Sequence, residues 1–154
     1  MVPDGSVDFV FSFDVFVHIK REVVEEYLKE FSRVLKVGGR GFIHHSNLAA
    51  YADSPRHQLP GFIKKLFTKW HLLDDDHHRI PTMSAEIFRQ LCSSNGLECV
   101  RQELINWRGR RLIDCLSWIE KPAKALDKPT EVIRNPNFMR EAESVRRRSV
   151  GSGD

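Results

Sequence analysis

Three histidines, His18, His44 and His45, occupy two short stretches that each end a run of apolar residues. A neutral imidazole titrates near pH 7 and can take a proton from an oxygen or nitrogen nucleophile. Asp14 breaks the apolar run Val7–Phe13, and Phe16, Ser46 and Asn47 add an aromatic ring, a hydroxyl and an amide to the same two stretches. A further polar cluster, Asp74, Asp75, Asp76, His77 and His78, lies near His57 and His71 and has the donor types that hold zinc or manganese. It has no defined ligand spacing and no matching cluster elsewhere. It therefore reads as a solvated polar segment, and no metal site is expected.

The elements around these residues follow from periodicity. Val7, Phe9, Val10, Phe11 and Phe13 are β-branched or aromatic, and such a run suits a strand buried on both faces of a parallel sheet. Pro3, Asp4 and Gly5 supply a turn ahead of it. From Lys20 to Lys36, Val24, Tyr27, Leu28, Phe31, Val34 and Leu35 recur at helical spacing, and Gly38-Gly39 is expected to end that helix. The segment 41–46, GFIHHS, reads as the next strand. Strand, helix and strand with tight connections make a right-handed βαβ unit. That unit brings Asp14 and His18 to the same sheet edge as His45, Ser46 and Asn47, where α/β sheets bind ligands. His44 and His45 alternate across the strand, so only one of them can face that edge.

Residues 47–81 are punctuated by Pro55, Pro60, Gly61 and Pro81 and form a connection long enough to be a lid or substrate cap, with Phe62, Phe67 and Trp70 on its helical part. Ser84 is a good N-cap, with Met83 and Phe88 placed as a hydrophobic staple, and Ile87, Phe88, Leu91 and Cys92 form the buried face of the helix that Asn95-Gly96 ends. Leu97–Ile105 and Leu112–Ile119 are expected to pair as an antiparallel hairpin carrying Trp107 and Trp118. From Pro122 the chain turns polar and is expected to be a disordered tail to residue 154.

Composition narrows the classes. A chain of 154 residues with 41% hydrophobic and 29% charged positions is an ordinary single globular domain. A net charge of +3, much of it in the terminal run Arg146-Arg147-Arg148, argues against a nucleic-acid-binding face. No stretch is long enough to cross a membrane. Cys92, Cys99 and Cys115 are odd in number and form no CxxC pair, which favours free thiols and a cytoplasmic location.

Order and wording together resemble the second half of a class I S-adenosylmethionine-dependent methyltransferase. DGSVDFVFSFDVFVHI resembles that family's fourth strand and following loop. LKEFSRVLKVGGRGFIHHS is similar to its R-V-L-K-P-G-G helix end and fifth strand, with Val37 in the usual place of proline, and MSAEIFRQLCSSNGLECV resembles the next helix and strand. The resemblance covers Pro3 to Lys121 and implies an α/β, Rossmann-like methyltransferase sheet that is incomplete. The family's glycine-rich loop and its ribose-binding acid do not occur in this sequence, so residues 1–121 are expected to be a partial domain offering one wall of the cofactor cleft.

The resemblance also implies roles. Phe13, Asp14 and Val15 would border S-adenosyl-L-methionine, and His45 or His18 would be the base. Phe16, Ser46, Asn47 and Trp70 would contact a small-molecule substrate. The competing expectation is a non-catalytic half-domain acting through its exposed first strand, by self-association or by pairing with another chain.

Overall fold

The computed structural model describes residues 2–52, 79–107, 109, 111–124 and 128–150. Residues 53–78, most of the expected lid and including Trp70 and the 74–78 run, lie outside the described residues.

The first strand, β1, takes Val7–Phe16 and is followed by α1, Arg21–Val34, and β2, Leu35–Ser46. A 3-10 turn, Leu48–Tyr51, leaves β2. Beyond it come α2 (Ala85–Ser94), β3 (Glu98–Ile105), β4 (Asp114–Glu120), β5 (Glu131–Asn135) and α3 (Phe138–Val150). The five strands form one α/β sheet in the order β1-β2-β4-β3-β5. β1 lies parallel to β2, and β3 parallel to β5, while β4 runs antiparallel to both of its neighbours.

The helix α1 buries Val24, Leu28 and Val34, the positions its apolar spacing marks. It stops at Val34, two residues short of the expected end at Lys36. Leu35 is fully buried and pairs with Val7, so the demand of the β1 ladder takes the chain out of the helix before Gly38 is reached. Gly38 then has φ 80° at the start of β2, where its N–H donates to the Lys121 carbonyl. Gly41 lies where β1 and β4 close on β2, and a Cβ there would stand 2.5 Å from a Val10 methyl and 2.8 Å from Ile119.

Both α1 and α2 pack on one face of the sheet. Val24, Leu28, Leu35, Ile43, Phe88, Leu91, Leu97 and Ile119 form the core there. The Ser84 hydroxyl caps α2 by accepting from the Ile87 N–H, as its position implies, and Met83 and Phe88 are both fully buried. The three cysteines are free and buried, and burial pushes the Cys99 and Cys115 thiols up to about 12.

The opposite face is aromatic. Phe11 stacks on Phe42, Phe42 meets Trp118 edge-on, and the Arg101 guanidinium lies over the Trp118 ring. β1 is an edge strand among the described elements, with Phe11 68% exposed and Phe9 and Phe13 also open. The run is thus not buried on both faces as its composition suggested. In place of the disordered tail expected from Pro122, Glu131–Asn135 pairs with β3, and α3 follows, fixed at its start by Phe138 against Trp107. The two apolar residues Val132 and Ile133 were too short a signal to mark a strand that forms only by addition to the β3 edge.

Candidate active site at the carboxyl end of β1

The ladder between β1 and β2 loses its register near its carboxyl end. From Ser12 to Phe16 β1 advances four residues while β2 advances only two, from Ile43 to His45. Phe13, Asp14 and Val15 stand against the single residue His44, two residues in excess, and form a bulge, with Asp14 in the left-handed region at φ 59°. Bulges re-aim side chains and recur beside active sites, and a non-glycine residue at positive φ persists only where its surroundings hold it. Those surroundings are specific. The Asp14 N–H donates to Nδ1 of His44 at 3.1 Å. Phe13 lies over the same imidazole, with 4.7 Å between ring centroids.

His44 is fully buried on the aromatic face of β2. Because an N–H can only donate, His44 Nδ1 carries the lone pair and the neutral ring bears its hydrogen on Nε2. That nitrogen stands 3.3 Å from Oδ2 of Asp114, an electrostatic contact rather than an aligned hydrogen bond. Asp114 is itself buried and is clamped by Arg79, whose Nε and Nη2 donate to its two oxygens at 2.6 and 2.8 Å. Burial alone would raise the Asp114 carboxyl, but His44 and Arg79 outweigh it and hold the group below its ordinary value. Trp107 closes the cluster, with the Arg79 guanidinium 5.7 Å from its ring centroid and His44 stacked on it.

His45 points the other way. Its Nδ1 donates to the Ser46 carbonyl and its Nε2 accepts from the Ser117 hydroxyl, both at 2.9 Å. Gln102 in turn donates to Ser117, and Phe88 stacks on the imidazole at 4.1 Å. Burial pushes the His45 pKa down to about 4. With both nitrogens engaged and no exposed surface, His45 is a core residue. The alternation of β2 turns it toward the helices, away from the sheet edge at which it was expected.

The other expected site residues divide in the same way. Phe13, Asp14 and Val15 are exposed at the bulge, and His18 is exposed on the turn that leads from β1 into α1, its N–H donating to the Val15 carbonyl. Phe16 is buried against Tyr27 and Phe31 of α1, so it belongs to the core rather than to a substrate surface. Ser46 is buried and caps the following turn through the Leu48 N–H. Asn47 donates to the Leu112 carbonyl and accepts from the Ala85 N–H, tying β2 to α2. It also lines a cavity of about 360 Å³ with Tyr51, Ser84, Arg89, Gln102 and Arg134. Trp70 lies outside the described residues.

Arg79 and Asp114 were not singled out from the sequence, and Trp107 was read there only as part of the hairpin. Asp114 did leave a trace, as a lone charge inside the apolar segment LIDCLSWI. Arg79 left none, since its partner is 35 residues away.

Residues 1–43 match the family model described as a methyltransferase domain. Among solved structures, a Bordetella parapertussis protein described as a possible exported protein aligns at 16% identity and a TM-score of 0.51, covering 78% of this chain and 40% of its own. The PH0226 protein from Pyrococcus horikoshii OT3 aligns at 14% identity and 0.46, covering 77% and 53%. A candidate sarcosine dimethylglycine methyltransferase from Galdieria sulphuraria aligns at 18% and 0.47, covering 79% and 56%. The chain thus spans between 40% and 56% of these three structures. Residues 1–43, through Ile43 of β2, are thus similar to a methyltransferase domain, and the five described strands form an α/β sheet.

Proposed function

We propose that this chain is part of an S-adenosyl-L-methionine-dependent methyltransferase acting on a small molecule. The observation that carries the reading is the bulge at Phe13–Val15. It lies within the segment matched by the methyltransferase-domain model and at the strand end where α/β sheets bind ligands. The chemistry of the exposed groups fits the cofactor. An aspartate carboxylate suits a ligand that carries an ammonium and a sulfonium, and Phe13 and Val15 offer apolar surface beside it. When bound, S-adenosyl-L-methionine supplies an electrophilic methyl group.

The residues of this chain bind and orient. Phe13, Asp14 and Val15 would border the cofactor. His18, the exposed imidazole at the same strand end, would accept the proton of an oxygen or nitrogen nucleophile as that atom attacks in line. His45 has no such role in this reading. The outer edge of β1 is where a further strand would complete the cleft.

Calorimetric titration with S-adenosylhomocysteine tests the proposal. Micromolar binding to the purified chain, weakened by Asp14→Ala, is expected. A folded sample that releases no binding heat and leaves its thermal midpoint unchanged by the ligand would overturn it.

A second reading is favoured by the exposure of Phe9, Phe11 and Phe13 on an edge strand. In it the chain is a non-catalytic module that self-associates through β1.

A further inference from the structure

The partner of the Asp14 N–H is a side chain of β2, not its backbone. That side chain is buried, and among the described residues it meets Phe13 and Trp107 at its ring and Asp114 at its second nitrogen. Asp114 is held in turn by two hydrogen bonds from Arg79. Arg79 itself is tied down by Trp107 and by its neighbour Ile80, whose N–H donates to the Val17 carbonyl just beyond β1. The chain of contacts therefore leaves β1 at Asp14 and returns to it at Val17.

We infer that His44 is a positioning residue, and that the buried relay Arg79–Asp114–His44 holds the Phe13–Val15 bulge in the form that presents Asp14 to the ligand. The Asp114 carboxylate, 3.3 Å from Nε2, favours the tautomer with its hydrogen on that nitrogen and so leaves Nδ1 the acceptor that Asp14 requires. Without that acceptor nothing compensates the left-handed backbone at Asp14, and the strand end relaxes toward ordinary extended geometry. His44 touches neither cofactor nor substrate. Its effect passes through Asp14. The identity of the ligand rests on the function proposed above, whereas the relay itself does not.

Two substitutions separate the acceptor from the packing. His44→Phe keeps a flat ring between Phe13 and Trp107 but offers no acceptor, and His44→Gln restores one. The readouts are the amide hydrogen exchange of Asp14 by NMR and the dissociation constant for S-adenosylhomocysteine. His44→Phe should speed Asp14 exchange at least tenfold, leave the Val10 and Ile43 amides unchanged and weaken ligand binding at least tenfold. His44→Gln should recover most of both. Unchanged Asp14 exchange in folded His44→Phe overturns the relay. If the unmodified chain binds no S-adenosylhomocysteine, the exchange result still decides the relay and only the functional reading falls. Should His44→Phe fail to fold, the ring ¹⁵N spectrum of the unmodified chain decides. A bare Nδ1 with a protonated Nε2 supports the relay, and the reverse tautomer overturns it.

Discussion

His44 and His45 are neighbours in β2, yet they face opposite sides of the sheet and carry their hydrogens on opposite ring nitrogens. His44 accepts at Nδ1 from Asp14, whereas His45 donates from Nδ1 to the Ser46 carbonyl and accepts at Nε2 from Ser117. One imidazole is built into the end of β1 and the other into the core under α2. Adjacent residues of one type thus serve separate layers of the molecule.

Acid should destabilise the fold through His45. Its pKa is about 4 in the folded chain against 6.5 ordinarily, chiefly because burial disfavours the charged ring. Between those values the unfolded state binds more protons, so stability rises with pH across the window. The contribution is complete above about pH 6.5 and is lost as the pH falls toward 4. At roughly 1.4 kcal/mol per pKa unit the loss is about 3 kcal/mol. Asp114, whose folded pKa is also lowered, adds a further loss of the same sign at still lower pH. Urea unfolding at pH 7 and 4.5 measures the drop. His45→Gln should be less stable at pH 7 and nearly flat over this range. Parallel curves for the two proteins would show that His45 is not the titrating group.

The Arg79–Asp114 pair should be costly to break and cheap to replace. Asp114→Asn leaves a guanidinium that is 4% exposed without a counter-charge. Breaking such a buried pair costs about 3–5 kcal/mol, while substituting both members with apolar residues of similar volume is often neutral. The double change Arg79→Met with Asp114→Leu should therefore recover most of the stability lost in Asp114→Asn. Chemical denaturation of both proteins decides this. A loss under about 1 kcal/mol for Asp114→Asn would mean that water reaches Arg79.

Self-association should run through β1. The unmodified chain is expected to grow in apparent mass with concentration in sedimentation or light scattering, because its edge strand presents Phe9, Phe11 and Phe13. Phe11→Lys places a charge on that edge and should leave a monomer with nearly unchanged stability, as exposed substitutions usually cost within about 0.5 kcal/mol. Monodispersity of the unmodified chain at high concentration would rule this out.

Much of this architecture is local enough to be read from the sequence. The βαβ unit, the Ser84 cap and the antiparallel pairing of β3 with β4 each follow from periodicity, a hydroxyl or a short connection. The expected convergence of Asp14 with His45 does not form: Asp14 meets His44, and His45 faces Phe88 in the core. What escaped depends on partners distant in the chain. Gly38-Gly39 looked like a helix end, but Leu35 answers to Val7. Alternation showed that one of His44 and His45 must face the edge, and nothing short of the register could say which. β5 is too short to declare itself before it meets β3.

The position of β4 also governs how the chain can be assembled. β4 lies between β2 and β3 although it follows both in sequence, and Arg40 meets Glu120 across 80 residues. During synthesis β2 therefore waits with one side of its backbone unpaired, and β3 has no neighbour in the sheet until the strand after it emerges. A nascent chain interrupted before residue 114 would hold a β1–β2 pair and a separate β3, so β4 is the strand that joins the two parts into one sheet. Pairing over so long a separation is slow to nucleate.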